Sequence, residues 1–118
     1  MINYALSLAV PANTTVDDPY SERVKLTLGR LSQLYIHGAP EHQHQVRIAI
    51  YRYGHRIFPE GEIEWFYPSE YPAQFYMDVP LDGGIEELEV VGANDDDTYG
   101  HTVYLMLSVA RLIPIGAD

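Results

Sequence analysis

HTVYLMLSVARL, residues 101–112, sets His101, Val103, Leu105, Leu107 and Val109 against Tyr104, Met106, Ala110 and Leu112. Alternate residues of a strand point to opposite faces. Here both sets are apolar, which predicts a strand at the centre of a sheet or one covered by a neighbouring subunit. No window of the chain carries a helical period, whereas period-two alternation recurs between turn signals.

Moving back along the chain, IEELEVV (85–91) and QFYMDV (74–79) predict two more strands, joined through PLDGG. In that turn Asp82 can bond to its own backbone, and Gly83 and Gly84 accept positive φ. IEWFY (63–67) predicts a further strand, set off by the proline-rich PSEYPA. VRIAIYRY (46–53) places Val46, Ile48 and Ile50 on one face and Arg47, Ala49, Tyr51 and Tyr53 on the other, before a tight turn at Gly54-His55. Val24, Leu26 and Leu28 share a parity with Leu34 and Ile36, which predicts one long strand with a bulge or break at Gly29-Arg30. At the start, Ile2, Tyr4, Leu6, Leu8 and Val10 alternate with the small residues Asn3, Ala5, Ser7 and Ala9. Seven or eight short, evenly spaced strands with no helical segments between them predict an all-β fold, an antiparallel β-sandwich or single jelly roll, and not a βαβ fold.

The chain of 118 residues is expected to form a single domain over 1–118, long enough to bury roughly two-thirds of the surface its unfolded form exposes. It contains no cysteine, which excludes disulfides, zinc–thiolate centres and thiol catalysis. The apolar opening lacks a basic segment and is cut short by Pro11, so we expect a soluble chain with neither a cleaved signal nor a membrane insertion. Seventeen acidic against seven basic residues give a net charge of −10, which repels nucleic acid and anionic lipid; no direct nucleic-acid contact is expected.

Two polar clusters invite a metal reading. In NDDDTYGH (94–101), Asp95, Asp96 and Asp97 are the candidates for calcium. That ion needs about six to eight oxygens, and its best-known loop spaces acids at alternate positions. Consecutive residues of an extended chain cannot all point at one ion, and Asn-Asp runs form Asx-turns unaided, so the loop reads first as structural. His42 and His44 alternate as in the cupin H-x-H, but a glutamate is wanted shortly afterwards and Ile48 and Ala49 stand there instead; GAPEHQHQ reads as a loop tip. Neither a G-x-S-x-G nor a Walker loop nor an H-E-x-x-H occurs, and Ser7, Ser21, Ser32, Ser69 and Ser108 have no local partner pattern. We expect a non-enzyme without a cofactor.

Ten tyrosines suit both strands and protein interfaces. Since Trp65, Phe66 and Tyr67 cannot share a face, some of these rings are free to meet a partner. The interface candidates are Tyr4, Leu6 and Leu8 in the first strand, Trp65, Tyr67, Tyr71, Tyr76 and Tyr104 in the body, and Leu112, Ile113 and Ile115 in the tail. Segments 1–12 and 112–118 are the candidate exchanged or docking arms.

VRIAIYRYGHRIFPEGE (46–62) and ANDDDTYGHTVYLMLSVARLIP (93–114) resemble short β-rich structural proteins of bacteriophages and related mobile elements. The shared trait is an Asp-Asp-Thr-Tyr turn followed by His-Thr-Val, opening a final strand that ends near Leu-Ile-Pro. The likeness covers the chain from Val46 onward and includes no catalytic motif. It implies a virion structural protein of the single-jelly-roll capsid, vertex or decoration type, forming homo-oligomers or joining other virion proteins, located in the virion and in the host cytoplasm during assembly. The alternative reading is a carbohydrate- or calcium-dependent binding module that uses the aromatic rings and Asp95–Asp97.

Overall fold

Residues 2–26, 29–38, 45–81 and 86–111 are described by the structure, a computed structural model. They hold eight strands: β1 (Ile2–Val10), β2 (Tyr20–Leu26), β3 (Gly29–Gly38), β4 (Val46–Arg52), β5 (His55–Phe58), β6 (Ala73–Leu81), β7 (Glu86–Asn94) and β8 (His101–Arg111). Two four-stranded sheets result, ordered β1-β8-β3-β6 and β2-β7-β4-β5. Every described pairing is antiparallel. The pairs β1 with β8, β2 with β7, β3 with β6 and β4 with β5 are nested like the rungs of one long hairpin, which folds over so that each connection except β4–β5 passes between the sheets. This is a single jelly roll, as the strand spacing predicts. Among the described residues no helix is long and apolar enough to cross a membrane.

The period-two pattern becomes burial directly. In β8, His101, Val103, Leu105, Leu107 and Val109 are buried, while Tyr104 is exposed and Met106 half-buried. β8 lies between β1 and β3, so both its backbone edges are paired; its inward face is core, and its outward Tyr104, Met106 and Ala110 stay partly open. Its inner residues meet Leu8, Leu31, Leu34 and Ile36 of their own sheet, and Ile48, Ile50, Leu88 and Val90 of the other, in one continuous core. Each such side chain, fully removed from water, contributes about 1.5–3 kcal/mol. Gly92 marks a close approach of the sheets. A Cβ there would stand 2.8 Å from Val10 Cγ2 and 3.0 Å from Leu8 Cδ2.

Several sequence expectations are corrected. Val24 to Ile36 is not one strand: β2 and β3 belong to different sheets, and Leu28 lies outside the described residues. The bulge falls between Leu31 and Gln33, where it lets both Leu31 and Leu34 face the core despite their odd spacing. IEWFY is not a strand either. Its ladder contact is a single bridge between Phe66 and Ile48, closed by two backbone hydrogen bonds of 2.8 and 2.9 Å. Pro59 and Pro68 bracket that run, and neither can donate to a ladder. The turn after β4 is Tyr53-Gly54, and the chain then returns as the short β5. The PLDGG turn residues Asp82, Gly83 and Gly84 lie outside the described residues.

Candidate functional site

The Asp-rich loop is built around Asn94 and Asp96. Asn94 Nδ2 donates to the carbonyls of Val10 (3.3 Å) and Tyr99 (3.0 Å), and its Oδ1 accepts from the Asp96 amide at 2.9 Å. Asp96 Oδ1 in turn accepts from the amides of Thr98 (2.9 Å) and Tyr99 (3.2 Å), and its Oδ2 lies 2.8 Å from His101 Nε2. The Asn13 amide donates to the Asp96 carbonyl at 2.7 Å, tying the 11–19 loop to this one. The neighbouring carboxylates go elsewhere: Asp95 pairs with Arg47, and Asp97 accepts from the Thr98 hydroxyl. The three acids thus diverge onto three sets of partners, in the Asx-turn manner expected of a structural loop. Among the described residues no three of His, Asp and Glu gather as a metal would need. His42 and His44 lie outside the described residues.

Hydrogen bonds from the Thr98 amide, then from His101 and the Tyr99 amide, hold the Asp96 carboxyl below its ordinary pKa. A depressed folded-state pKa adds stability above the unfolded-state value, and that stability is lost as pH falls through the folded-state value. Asp96→Asn keeps an acceptor for the two amides but removes the charge. Denaturant midpoints of the parent are therefore expected to fall more steeply than those of Asp96→Asn below about pH 4. Parallel curves from pH 7 to pH 2 would refute the role given to this carboxylate.

The two solvent-facing sheet surfaces differ sharply in chemistry. On β2-β7-β4, Arg23, Lys25, Glu87, Glu89 and Arg47 alternate with the inward residues, and Arg23 pairs with Glu87 at 3.2 Å. On β1-β8-β3-β6 the rows are of another kind. Ala5 stands opposite Met106, Met106 opposite Tyr35, and Tyr35 opposite Gln74; Ser7 stands opposite Tyr104, and Tyr104 opposite His37. A third row runs Asn3, Ser108, Gln33, Tyr76, with the Ser108 hydroxyl donating to Asn3 Oδ1 at 2.7 Å. The His37 and Tyr104 rings stack with centroids 5.1 Å apart. Beside them Tyr35, Pro72 and Met106 help line a recess of about 250 Å³. Charge enters at a corner, where Arg30 pairs with Asp78 at 2.6 Å.

The interface candidates are therefore divided. Tyr76 (77% exposed) and Tyr104 (43%) share the neutral face. Phe66 turns into the sandwich against Phe58 and Phe75, which leaves its neighbours Trp65, half-buried, and Tyr67, exposed, on the other side. The Arg47 guanidinium sits 5.4 Å from the Tyr67 ring centroid. Tyr71 is exposed in the segment leading to β6. Tyr4 and Leu6 are half-buried along the β1 edge and pack against the core. Leu8 is fully buried, a correction to its place among the interface candidates: the large-residue face of β1 points into the sandwich, so no partner can dock on it from outside the sheet. Leu112, Ile113 and Ile115, with the arm 112–118, lie outside the described residues. Sequence reading missed Tyr35, His37 and Pro72; the alternation of β3 beyond Leu34 was the signal that could have found the first two.

No protein-family model matches the sequence, and comparison with curated proteins found no match.

Proposed function

We propose that this chain is an assembly subunit, a structural protein of a virion shell of the capsid, vertex or decoration kind, which meets other protein through the outer face of β1-β8-β3-β6. The observation that carries the reading is the contrast between the two outer faces. A chain of net charge −10 keeps one broad sheet surface almost free of charge and furnishes it with Tyr35, Tyr76, Tyr104 and Met106. Depletion of charge with enrichment in aromatic residues and Met is the composition of an interface core. The jelly roll is compatible with this role but does not decide it, because the same fold serves capsid, lectin and cupin domains. The likeness of residues 46–62 and 93–114 to phage structural proteins points the same way. The stacked His37 and Tyr104 each turn a ring face to the other, which favours protein over a flat sugar as the occupant.

Tyr76 and Tyr104 are exposed, so Lys at both positions leaves the fold intact and places two charges on the face. The parent is expected to form species larger than a dimer in light scattering after size exclusion, and the Tyr76→Lys/Tyr104→Lys double variant is expected to lose them. An unchanged mass would remove this face from the reading.

A further inference from the structure

The sheets end in four edge strands, β1 and β6 in one, β2 and β5 in the other. An exposed edge invites pairing with another chain, and proteins blunt it with charge, proline, bulges or shortness. Three of these edges are blunted. β2 carries Glu22, Arg23 and Lys25; β5 has four residues, among them His55 and Arg56; β6 carries Asp78 and Pro80. β1 carries none of these devices. Its nine residues, INYALSLAV, include no charge and no proline, and its register with β8 runs from Ile2↔Val109 to Val10↔His101 without a bulge.

We propose that β1 pairs antiparallel with β1 of a second copy, joining the two β1-β8-β3-β6 sheets into one sheet of twice the width. The proposal rests on the assembly reading only in taking protein as the partner; it concerns the edge and not the aromatic face. Charge selects the edge: two chains of −10 repel each other, and β1 is the described edge strand that carries no charged residue, so two copies meet there at the least electrostatic cost. A strand paired antiparallel with its own copy satisfies both rows of backbone groups by a single twofold axis, the commonest oligomer symmetry. The register follows from the pleat. Opposed residues must share a face, and full overlap of Ile2–Val10 then sets Leu6 against Leu6 of the copy, Tyr4 against Leu8, and Ala5 against Ser7. Ile2, Tyr4 and Leu6, left half-exposed at the open edge, gain a neighbour. The small exposed Asn3, Ala5, Ser7 and Ala9 let the two outer surfaces run together without obstruction.

Ala5 and Ser7 are exposed, so charged side chains there leave the monomer's core untouched. Ala5→Lys/Ser7→Lys and Ala5→Glu/Ser7→Glu are each expected to weaken the dimer on the order of tenfold or more, since like charges then stand directly opposite across the axis. An equimolar mixture is expected to restore it as a heterodimer. Restoration also shows that both variants fold. Because the natural chain lacks cysteine, crosslinking gives a second measurement. A mixture of Ala5→Cys and Ser7→Cys copies should oxidise to a disulfide heterodimer faster than either copy alone, as opposed residues of an antiparallel pair lie within disulfide reach. A parent that stays monomeric overturns the edge pairing, as do charge variants that dimerise like the parent or a mixture that fails to associate. Tyr76→Lys/Tyr104→Lys should retain the β1 dimer, so failure of the face and failure of the edge are read separately.

Discussion

Replacing Arg52 with Met is expected to lower the folding stability by about 3–5 kcal/mol, the usual cost of removing one partner from a buried ion pair. For a domain of this size that is roughly 12–20 °C in melting temperature. The carboxylate concerned, Glu86, is 1% exposed at the start of β7. Arg52 donates to its Oε1 from Nε at 3.1 Å and from Nη2 at 2.6 Å, and the Tyr53 hydroxyl donates to Oε2. The Arg52 guanidinium also lies 4.7 Å from the Tyr53 ring centroid. Tyr53 and Gly54 form the two-residue turn between β4 and β5 with φ of 52° and 77°. Such a turn prefers Asn at its first position, because a bulky residue at positive φ is strained. The bond to Glu86 and the stacked guanidinium offset that strain, so one ionic cluster serves both the end of the sandwich and the hairpin. The Met variant removes the charge while keeping most of the volume. Adding Glu86→Leu should recover much of the loss, since a well-packed apolar pair often matches a buried ionic one. Urea unfolding of the parent and these two variants checks the scheme. A cost below about 1 kcal/mol for Arg52→Met would mean that this pair is no more than an ordinary surface contact.

Gly29→Ala is expected to cost about 2–5 kcal/mol, combining overpacking with backbone strain. Gly29 opens β3 between Leu81 of β6 and Arg111 of β8, at φ 157°. A Cβ there would run into the carbonyl oxygen of Ala110 and come within 3.0 Å of Val109 Cγ1. Backbone in a central ladder cannot yield as a long side chain can. Gly54 and Gly61 also have positive φ, but a Cβ at either meets nothing within 4 Å. Alanine at those two positions should therefore cost only the conformational part, about 1 kcal/mol. Chemical denaturation of the three variants separates the terms. Equal losses at Gly29 and Gly61 would show that the close approach of β3 and β8 is unimportant.

The fold class was legible because period-two alternation converts directly into the inner and outer faces of a sandwich. Sheet membership was less so. Val24 and Ile36 share a parity across a point where the chain changes sheets, and parity says nothing about which sheet a strand joins. The bulge at Ser32 hid the inward direction of Leu31 for the same reason. Trp65, Phe66 and Tyr67 read as a strand because aromatic runs favour sheets, yet Phe66 alone finds a ladder partner between two prolines. The Asx-turn loop was readable from its local bonding, since Asn94, Asp96 and Thr98 satisfy one another within a few residues. The neutral face was half readable. Tyr76 and Tyr104 stood out as residues, but only the registers of β1, β8, β3 and β6 bring them to one surface with Tyr35 and Met106. Arg52 shares the parity of the inward Ile48 and Ile50, and Glu86 that of the inward Leu88 and Val90, but their pairing depends on the β4–β7 register.

The outermost rung of the folded hairpin, Ile2 against Val109, has a consequence in time. The first strand cannot take its place until the last one exists, so β1 leaves the ribosome long before its own β8 is available. Long-range pairing of this kind slows folding. Through that delay a charge-free strand waits with both edges open, and the chance that it meets β1 of a neighbouring nascent chain rises with the rate at which copies are made.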